Sequence, residues 1–273
     1  MSSITFEQLL EAGAHFGHLK KRWNPAFAPY IYGEKNNVHI IDLNKTLAKL
    51  DEACTILKNM AKQNKKILFV ATKKQAKEII ESKVKPLKMP YVVERWPGGL
   101  LTNFVTIRRS IKRMYQIEKM ETDGTFEKIS KKERLLLTRE KAKLQKQFGS
   151  IAEMNRLPSA LFIIDIVKEH IAVKEAKRLN IPTFAIVDTN SNPNDVTHPI
   201  PANDDAASSI NIIMTAICQA IAEGLNEKEQ DSIEKYETPQ EDTIKSKYEL
   251  VETEEETETP KKPRMRKRIT KKQ

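Results

Sequence analysis

Residues 158–165 read Pro-Ser-Ala-Leu-Phe-Ile-Ile-Asp, and residues 180–188 read Asn-Ile-Pro-Thr-Phe-Ala-Ile-Val-Asp. Each apolar run is rich in Ile, Val and Phe and ends in an aspartate, a composition typical of strands buried on both faces of a sheet. The intervening residues have apolar positions at helical spacing, namely Ile171, Ala172, Ala176 and Leu179. A strand, a helix and a strand with short connections form a right-handed crossover, which makes the two strands parallel. Asp165 and Asp188 are therefore predicted at the carboxyl ends of neighbouring strands, the edge at which open α/β sheets bind ligands.

Three further apolar runs extend this unit and predict strands at 38–42, 66–72 and 90–94. Helical patterns lie between them, and a last helix is predicted to end just before Gly224. Thr5 with Gln8, and Asn44, are the predicted helix caps. Five parallel strands with intervening helices predict a flavodoxin-like three-layer α/β sandwich with strand order 2-1-3-4-5.

One insertion interrupts the alternation of strands and helices. Residues 104–156 contain two amphipathic helical patterns separated by Asp123-Gly124, with a second capping motif at Ser130. They predict an antiparallel coiled-coil hairpin whose longer arm, about 25 residues, would span roughly 37 Å. The segment carries 14 basic and seven acidic residues. The predicted domains are therefore a sandwich of residues 1–103 and 157–224, a hairpin of residues 104–156 and a tail of residues 225–273.

The charge of the 273-residue chain is basic but unevenly distributed. The formal net charge is +10, with 39% hydrophobic and 31% charged residues and a pI of about 9.4. Residues 225–259 hold 13 acidic residues against four lysines, whereas residues 260–273 hold eight basic residues and no acidic one. These two blocks have almost nothing to bury, so they predict a disordered tail with oppositely charged halves. A basic protein of this kind favours a polyanionic partner, nucleic acid before membrane.

Several classes of protein are disfavoured by the same sequence. Cys54 and Cys218 lie apart in helical patterns, which indicates neither a zinc finger nor a disulfide framework. No apolar run reaches the length of a membrane helix, so we expect a cytoplasmic protein without a membrane partner. The turns after the runs at 38–42 and 66–72 lack the glycines that a phosphate cradle needs. A nucleotide or flavin enzyme is therefore disfavoured, although a flavodoxin-like metal-dependent enzyme remains the alternative.

Three basic clusters are the candidate nucleic-acid contacts. Cations neutralise phosphates, and aromatic rings can stack on exposed bases; the alternative is solvated helix faces and tryptophans of the core. The candidate RNA-binding residues are Lys20, Lys21, Arg22, Trp23, Arg95, Trp96, Asn103, Arg108, Arg109, Lys112 and Arg113.

A second candidate site combines acids with an imidazole. Acidic and imidazole side chains bind divalent ions, and Asp188, Asp204 and Asp205 could gather at the carboxyl edge with His15 or His18. We expect a metal site if His18, Asp188, Asp204 and Asp205 converge. No cofactor is required, and the ion would be zinc or magnesium. The alternative is that Asp204 and Asp205 are first-turn acids that complement the dipole of the last helix.

Several separated motifs resemble one family, that of the second protein of the bacterial small ribosomal subunit. They occur in order from about residue 4 to 224, at residues 12–18, 23–25, 29–33, 39–46, 95–103, 188–190 and 201–206. The resemblance implies an α/β sandwich with a protruding coiled-coil hairpin and a non-enzymatic role. It also implies binding of small-subunit ribosomal RNA near the junction of head and body, and docking of the first protein of that subunit. We expect no homo-oligomer.

Overall fold

The structure is a computed structural model that describes residues 4–237, without the side chains of residues 127, 128, 229 and 231–237. Residues 4–228 belong to one compact unit, and the helix end at 229–237 belongs to a second. The helices are α1 (Phe6–Glu11), α2 (Leu43–Lys62), α3 (Lys74–Val84), α4 (Phe104–Thr122), α5 (Lys131–Phe148), α6 (His170–Arg178) and α7 (Ala207–Glu237). The strands are β1 (Phe16–Leu19), β2 (Ile31–Lys35), β3 (Val38–Ile41), β4 (Ile67–Val70), β5 (Tyr91–Val92), β6 (Ala160–Ile164), β7 (Thr183–Val187) and β8 (His198–Pro201).

Five strands form the predicted parallel sheet, in the spatial order β5-β4-β6-β7-β8. Numbered along the chain within this sheet, the order is 2-1-3-4-5, but the prediction counted the run at 38–42 as the first strand, so it named different neighbours for the runs at 66–72 and 90–94. Strands β4, β6 and β7 are buried on both faces. Alternate residues of β4 pack in two different cores. Ile67 and Phe69 pack with α2, α3 and α7, whereas Leu68 and Val70 pack with α6 and the base of the hairpin. The flavodoxin-like three-layer sandwich is thus confirmed.

The membership of this sheet differs from the prediction at one strand. The run at 38–42 forms β3, the central strand of a separate antiparallel sheet in the order β1-β3-β2. Its burial alternates, as in a sheet with one solvated face. The fifth parallel strand is β8. The sequence did not predict it, because Pro199 and Pro201 are typical of a loop. Proline cannot donate to a sheet and is tolerated at an edge, which is where β8 lies.

The helix caps agree with the sequence in part. Thr5 and Gln8 form the predicted capping box, and the Ser130 side chain accepts from the backbone N–H of Glu133. The cap of α2 is Asp42 instead of the predicted Asn44, because β3 ends at Ile41 and the helix begins two residues later. The Asp42 carboxylate accepts from Asn44 N at 3.0 Å.

Helix α7 continues through Gly224, where the sequence predicted its end. A Cβ at Gly224 would lie 2.4 Å from the carbonyl oxygen of Lys58 and 3.1 Å from the Cβ of Ala61. The glycine therefore permits close packing of α7 on α2 and does not end the helix. Residues 225–237 are helical, and the remainder of the predicted disordered tail, residues 238–273, lies outside the described residues.

The predicted hairpin is formed by α4 and α5, which have 19 and 18 residues and span about 27 to 29 Å, shorter than expected. Arg113 and Glu140 join the two arms, with 3.3 Å between Nε and Oε1. At the base, Ile107, Ile111 and Phe148 belong to the same core as the sheet residues Leu68 and Leu161. The hairpin is therefore rooted in the sandwich core.

One part of α7, Ala207–Lys228, is long and apolar enough to cross a membrane by length and composition alone, and 56% of its most apolar stretch is buried. Its apolar face packs in the core, with Ile210, Ile213, Met214, Ile217 and Ile221 fully buried. This burial is that of a core helix. The expectation that no apolar run approaches this length was therefore too strict.

Candidate nucleic-acid interface and carboxyl-edge cluster

The first basic cluster is a short 3₁₀ turn, Lys20–Arg22, that directly follows β1. All three cations are exposed, and Lys20 forms an exposed ion pair with Glu34 at 2.8 Å. Trp23 is half-buried, with its ring 5.1 Å from that of His39. The turn is tied to the sheet edge because the backbone N–H of Asn24 donates to the carbonyl of Thr189 at 2.8 Å.

Gly17 allows this approach of the chain to the end of β7. A Cβ at Gly17 would lie 2.5 Å from the Cγ2 atom of Thr189, too close for any other residue without rearrangement. The backbone N–H of His18 donates to the Thr189 hydroxyl at 2.8 Å. The glycine thereby lets β1 bring both His18 and the basic turn to the carboxyl edge of the sheet.

The second cluster is the loop of residues 95–103, which follows β5. Arg95 and Asn103 are exposed at its two ends, whereas Trp96 is buried and its indole N–H donates to Glu175 at 3.1 Å. A base cannot stack on a ring in that position, so the predicted role of Trp96 in base stacking is wrong. Glu175 accepts four further hydrogen bonds from this loop, from Gly99 N, Leu101 N, and the Thr102 backbone and hydroxyl.

The third cluster lies at the base of the hairpin. Arg109 and Lys112 are exposed, whereas Arg108 donates to the carbonyls of Ala152 and Met154, at 3.5 and 3.3 Å. Arg113 is partly used in its pair with Glu140. Two of the four predicted cations are therefore fully available at the surface, and two also hold the hairpin together.

The first two clusters share one edge of the sheet but lie at different strands. The 95–103 loop follows the carboxyl end of β5, and the Lys20–Arg22 turn is tied to the carboxyl end of β7. β5 and β7 are three strand positions apart, which corresponds to about 14 Å at the usual strand spacing. The predicted contacts thus extend along the edge.

The four predicted metal-site residues do come together at this edge. His18 Nδ1 lies 2.9 Å from Asp188 Oδ2, and His18 Nε2 lies 3.3 Å from Asp205 Oδ2. The possible ligand atoms of His18, Asp188 and Asp204 all lie within 4.8 Å of one another. His18 Nδ1, Asp188 Oδ2 and Asp204 Oδ2 are buried and lack a partner in hydrogen-bond geometry.

A lysine that the sequence did not single out lies among these acids. Lys73 Nζ is 2.7 Å from Asp204 Oδ1, 2.8 Å from Asp205 Oδ1 and 2.9 Å from Asp165 Oδ2. The signal was available, because Lys73 follows β4 as Asp165 follows β6, so that both residues lie at the same edge. The cluster therefore contains its own compensating cation.

The alternative role of Asp204 and Asp205 as first-turn acids is wrong. Helix α7 begins at Ala207 and has no acidic residue in its first turn. The side chain of Asn203 accepts instead from Asp205 N and Ala206 N, at 2.8 and 3.2 Å. The two acids thus belong to the edge cluster, and Asn203 accepts the hydrogen bonds of the turn before the helix.

Burial and neighbouring charge perturb the groups of this cluster. Burial, together with the carboxylates of Asp165 and Asp188, raises the pKa of Asp204. Burial alone would lower the pKa of Lys73, but the surrounding carboxylates raise it on balance. Close contact with Asp188 raises the pKa of His18. The cluster therefore favours the charged forms of Lys73 and His18 and disfavours the charged form of Asp204, in a site that is largely closed to solvent.

Glu175 is the other functional residue that the sequence analysis missed. The apolar face predicted for α6 included Ile171 and Leu179, but both are exposed, and the buried residues are Ala172, Val173, Glu175 and Ala176. Burial alone would raise the pKa of Glu175, but the hydrogen bonds from the 95–103 loop lower it on balance. A single acid inside a charged helix gives no sequence signal of such a role.

The comparisons with known proteins agree with these motifs. The family model for ribosomal protein S2 matches residues 9–224. The chain is 61% identical over 234 residues to the small ribosomal subunit protein uS2 of Parabacteroides distasonis, with 86% of this chain and 84% of that protein covered. It is 64% identical over 231 residues to the protein of the same name from Porphyromonas gingivalis, with 85% and 82% covered. Because both matches span most of either protein, this chain belongs to the ribosomal protein S2 family.

Proposed function

We propose that this chain is a structural, non-enzymatic protein of the bacterial small ribosomal subunit, present in the cytoplasm, that binds small-subunit ribosomal RNA through the carboxyl edge of its sheet. The observation that carries the RNA contact is the exposed Lys20–Arg22 turn, which lies at the same edge as Arg95. Arg109 and Lys112, exposed near the start of α4, add two further cations. These cations would neutralise backbone phosphates, and such contacts supply a large share of the affinity for a nucleic acid. The junction of head and body is the expected location, by family resemblance.

The test replaces the three cations of the basic turn and compares that variant with a control that loses the same number of positive charges elsewhere. In the first variant, Lys20, Lys21 and Arg22 become Ala; in the control, Lys65, Lys177 and Arg178, exposed cations near the opposite edge, become Ala. Salt dependence scales with the number of neutralised phosphates, so the first variant should bind ribosomal RNA more weakly, with a log–log salt slope reduced by about 2 to 3. The control should retain the slope of the unaltered protein.

Occupancy of purified subunits at raised salt gives a second measurement of the same variants. Equal occupancy and equal slopes for the two triple variants would overturn this location of the RNA contact. A drop shared by both would indicate only a general effect of net charge.

Neighbouring proteins of the subunit are the other proposed partners, including the first small-subunit protein. This docking role is supported by family resemblance. Subunits assembled without this chain should retain less of the first protein than complete subunits do, as measured by mass spectrometry. Equal retention would remove the docking role and leave RNA binding untouched.

We also propose a divalent ion in the carboxyl-edge cluster, because ligand atoms of His18, Asp188 and Asp204 converge within 4.8 Å of one another and the buried Asp204 Oδ2 has no hydrogen-bond partner. His18, Asp188 and Asp204 would hold the ion, with Asp205 beside them. A donor set of imidazole and carboxylates fits zinc better than magnesium, which prefers oxygen alone. The ion would join the N-terminal β1 to the sheet edge and supply no reaction. Lys73 already compensates part of the negative charge, and is the competing cation.

Metal analysis of the purified protein tests this second proposal. About one zinc per chain, lost in an Asp188→Asn variant, is the expected result. A chain without metal that unfolds at the same temperature with and without added zinc would leave Lys73 as the sole cation of the cluster.

A further inference from the structure

The Glu175 carboxylate is the centre of a hydrogen-bond network that involves most of one loop. Its Oε1 accepts from Trp96 Nε1 at 3.1 Å and from Gly99 N at 2.7 Å. Its Oε2 accepts from Leu101 N, Thr102 N and the Thr102 hydroxyl, at 3.0, 3.1 and 3.2 Å. No salt bridge within the described part of the chain involves Glu175. Glu175 is 8% exposed, and N–H and O–H donors compensate its buried carboxylate.

Apart from the burial of Trp96, Leu100 and Leu101 in the core, the loop has few other means of fixing its backbone. Residues 93–103 form no helix or strand. Two internal backbone hydrogen bonds occur, from Leu100 N to Pro97 O and from Asn103 N to Gly99 O. Gly99 has a φ of +84°, in the left-handed region that glycine adopts without strain. Without Glu175, the N–H of buried Leu101 would lose its partner, and such an unpaired group is costly inside a protein.

We propose that Glu175 is a positioning residue for RNA binding, which fixes residues 96–102 so that Arg95 and Asn103 are held at a set spacing before RNA arrives. This inference rests on the proposed function. Ordering a loop during association costs conformational entropy, and a loop ordered in advance avoids that cost. The same network sets the start of α4, because Asn103 directly precedes that helix. Glu175 contacts no RNA and acts only through the loop.

The chemistry of the network requires a carboxylate. Two oxygens accept five hydrogen bonds, and every group that faces them is a donor. A glutamine has nearly the same shape but replaces one oxygen with an NH₂ group, which can only donate. Glu175→Gln therefore turns two or three of these hydrogen bonds into donor–donor contacts while filling the same volume. A purely space-filling role would leave this variant unchanged.

A matched control is available on the same segment. Glu169, at the start of α6, is also a buried acid, and its Oε1 accepts from the backbone N–H of Thr72 at 3.1 Å and from the Thr72 hydroxyl. It lies at the carboxyl edge, and its side chain bonds to Thr72 rather than to the 95–103 loop. Glu169→Gln thus makes the same substitution at another buried acid. Trp96→Phe, which deletes a single donor, is a milder variant if Glu175→Gln does not fold.

The experiment combines hydrogen exchange, RNA affinity and a double-mutant cycle on the full chain. In Glu175→Gln, amides of residues 99–102 should exchange at least about tenfold faster while those of β6 and β7 stay protected, and affinity for ribosomal RNA should fall about tenfold. Trp96→Phe should give smaller changes in the same direction. In an Arg95→Ala background, Glu175→Gln should cost less affinity than it does alone, because both changes act through one loop.

Two results would overturn the inference. Faster exchange in the loop with unchanged RNA affinity would show that its order does not matter for binding. Equal loss of affinity in Glu175→Gln and Glu169→Gln would indicate a general loss of stability. Failure of the proposed function is distinguishable, because it would leave the triple variant of Lys20, Lys21 and Arg22 at full affinity as well.

Discussion

At Gly224 a missing side chain decides how two helices pack. The backbone of α7 comes so close to α2 at this point that a methyl group would meet the Lys58 carbonyl oxygen. From the sequence, the same glycine was expected to end the helix, because glycine is common just beyond helices. Only the neighbour in space distinguishes these two roles, and the sequence does not supply that neighbour.

We predict that Gly224→Ala lowers the free energy of unfolding by about 1 to 3 kcal/mol, the usual cost of overpacking a close contact. Gly33→Ala is the control, because a Cβ there would meet no atom within 4 Å and Gly33 has no left-handed backbone. Urea unfolding monitored by circular dichroism measures both variants. Equal stability of the two would contradict a tight contact between α7 and α2.

Residues at strand ends were the most predictable part of the candidate site. Asp165 and Asp188 were expected at neighbouring strand ends, and the pairing of β6 with β7 puts them there. His18 was expected beside Asp188 and lies there as well. Lys73 was missed although its position after β4 was an available signal. Glu175 was missed because charged residues in a chain so rich in charge do not reveal which of them are buried.

At the scale of elements, the hairpin and the sandwich share one core. Ile107, Ile111 and Met114 on α4 pack in the cluster that contains Leu68 of β4. The outer part of the hairpin is different, since Leu135 and Leu136 of α5 are more than half exposed. Helical periodicity in the sequence revealed the apolar face of each hairpin helix. It did not reveal that this face continues into the core of the sheet, because periodicity shows that a face is buried but not what covers it.

We predict that Ile111→Ala lowers the free energy of unfolding of the whole unit by about 2 to 5 kcal/mol, as for large-to-small changes in a core. Leu136→Ala, further along the hairpin and exposed, should change it by less than about 0.5 kcal/mol. Thermal unfolding followed at two wavelengths is a suitable measurement. An independent hairpin would instead lose its own transition in the Ile111 variant and leave that of the sandwich unchanged.

The strands show which features of an element the local sequence pattern predicts and which it does not. The buried strands β4, β6 and β7 were found because they consist almost entirely of apolar residues. β3 was found as a strand but assigned to the wrong sheet, because a four-residue apolar run does not encode its partners. β8 was missed because two prolines made it resemble a loop.

At the scale of the whole molecule, the charge is arranged in blocks along the chain. Residues 1–224 carry a formal charge of +11, residues 225–259 carry −9 and residues 260–273 carry +8. A dense polyanion repels the acidic block and attracts the basic one. Pairing of the two blocks with each other would be weak, at about 0 to 1 kcal/mol for each exposed pair, and screened by salt.

We therefore predict that crosslinks between protein and RNA in intact subunits fall in residues 260–273 and avoid residues 225–259. Mass spectrometry of the crosslinked peptides locates them. A chain that ends at residue 259 serves as the control, and should lose these crosslinks while keeping those of the Lys20–Arg22 turn. Crosslinks concentrated in the acidic block would contradict this electrostatic account.

Between β4 and β6 the order of the sheet reverses, and at such a point proteins of this architecture commonly admit a small molecule. Here the chain bridges the gap with its own side chains. Lys73 from one strand end holds Asp165 of the other, and Glu169 accepts from the backbone of Thr72. An incoming metabolite or inhibitor would have to displace an ammonium group tethered beside its carboxylates, and a tethered competitor acts at a very high effective concentration. These side chains thus fill the crevice and prevent a small molecule from binding there. Chemical probes against this protein should be directed at its outer surface.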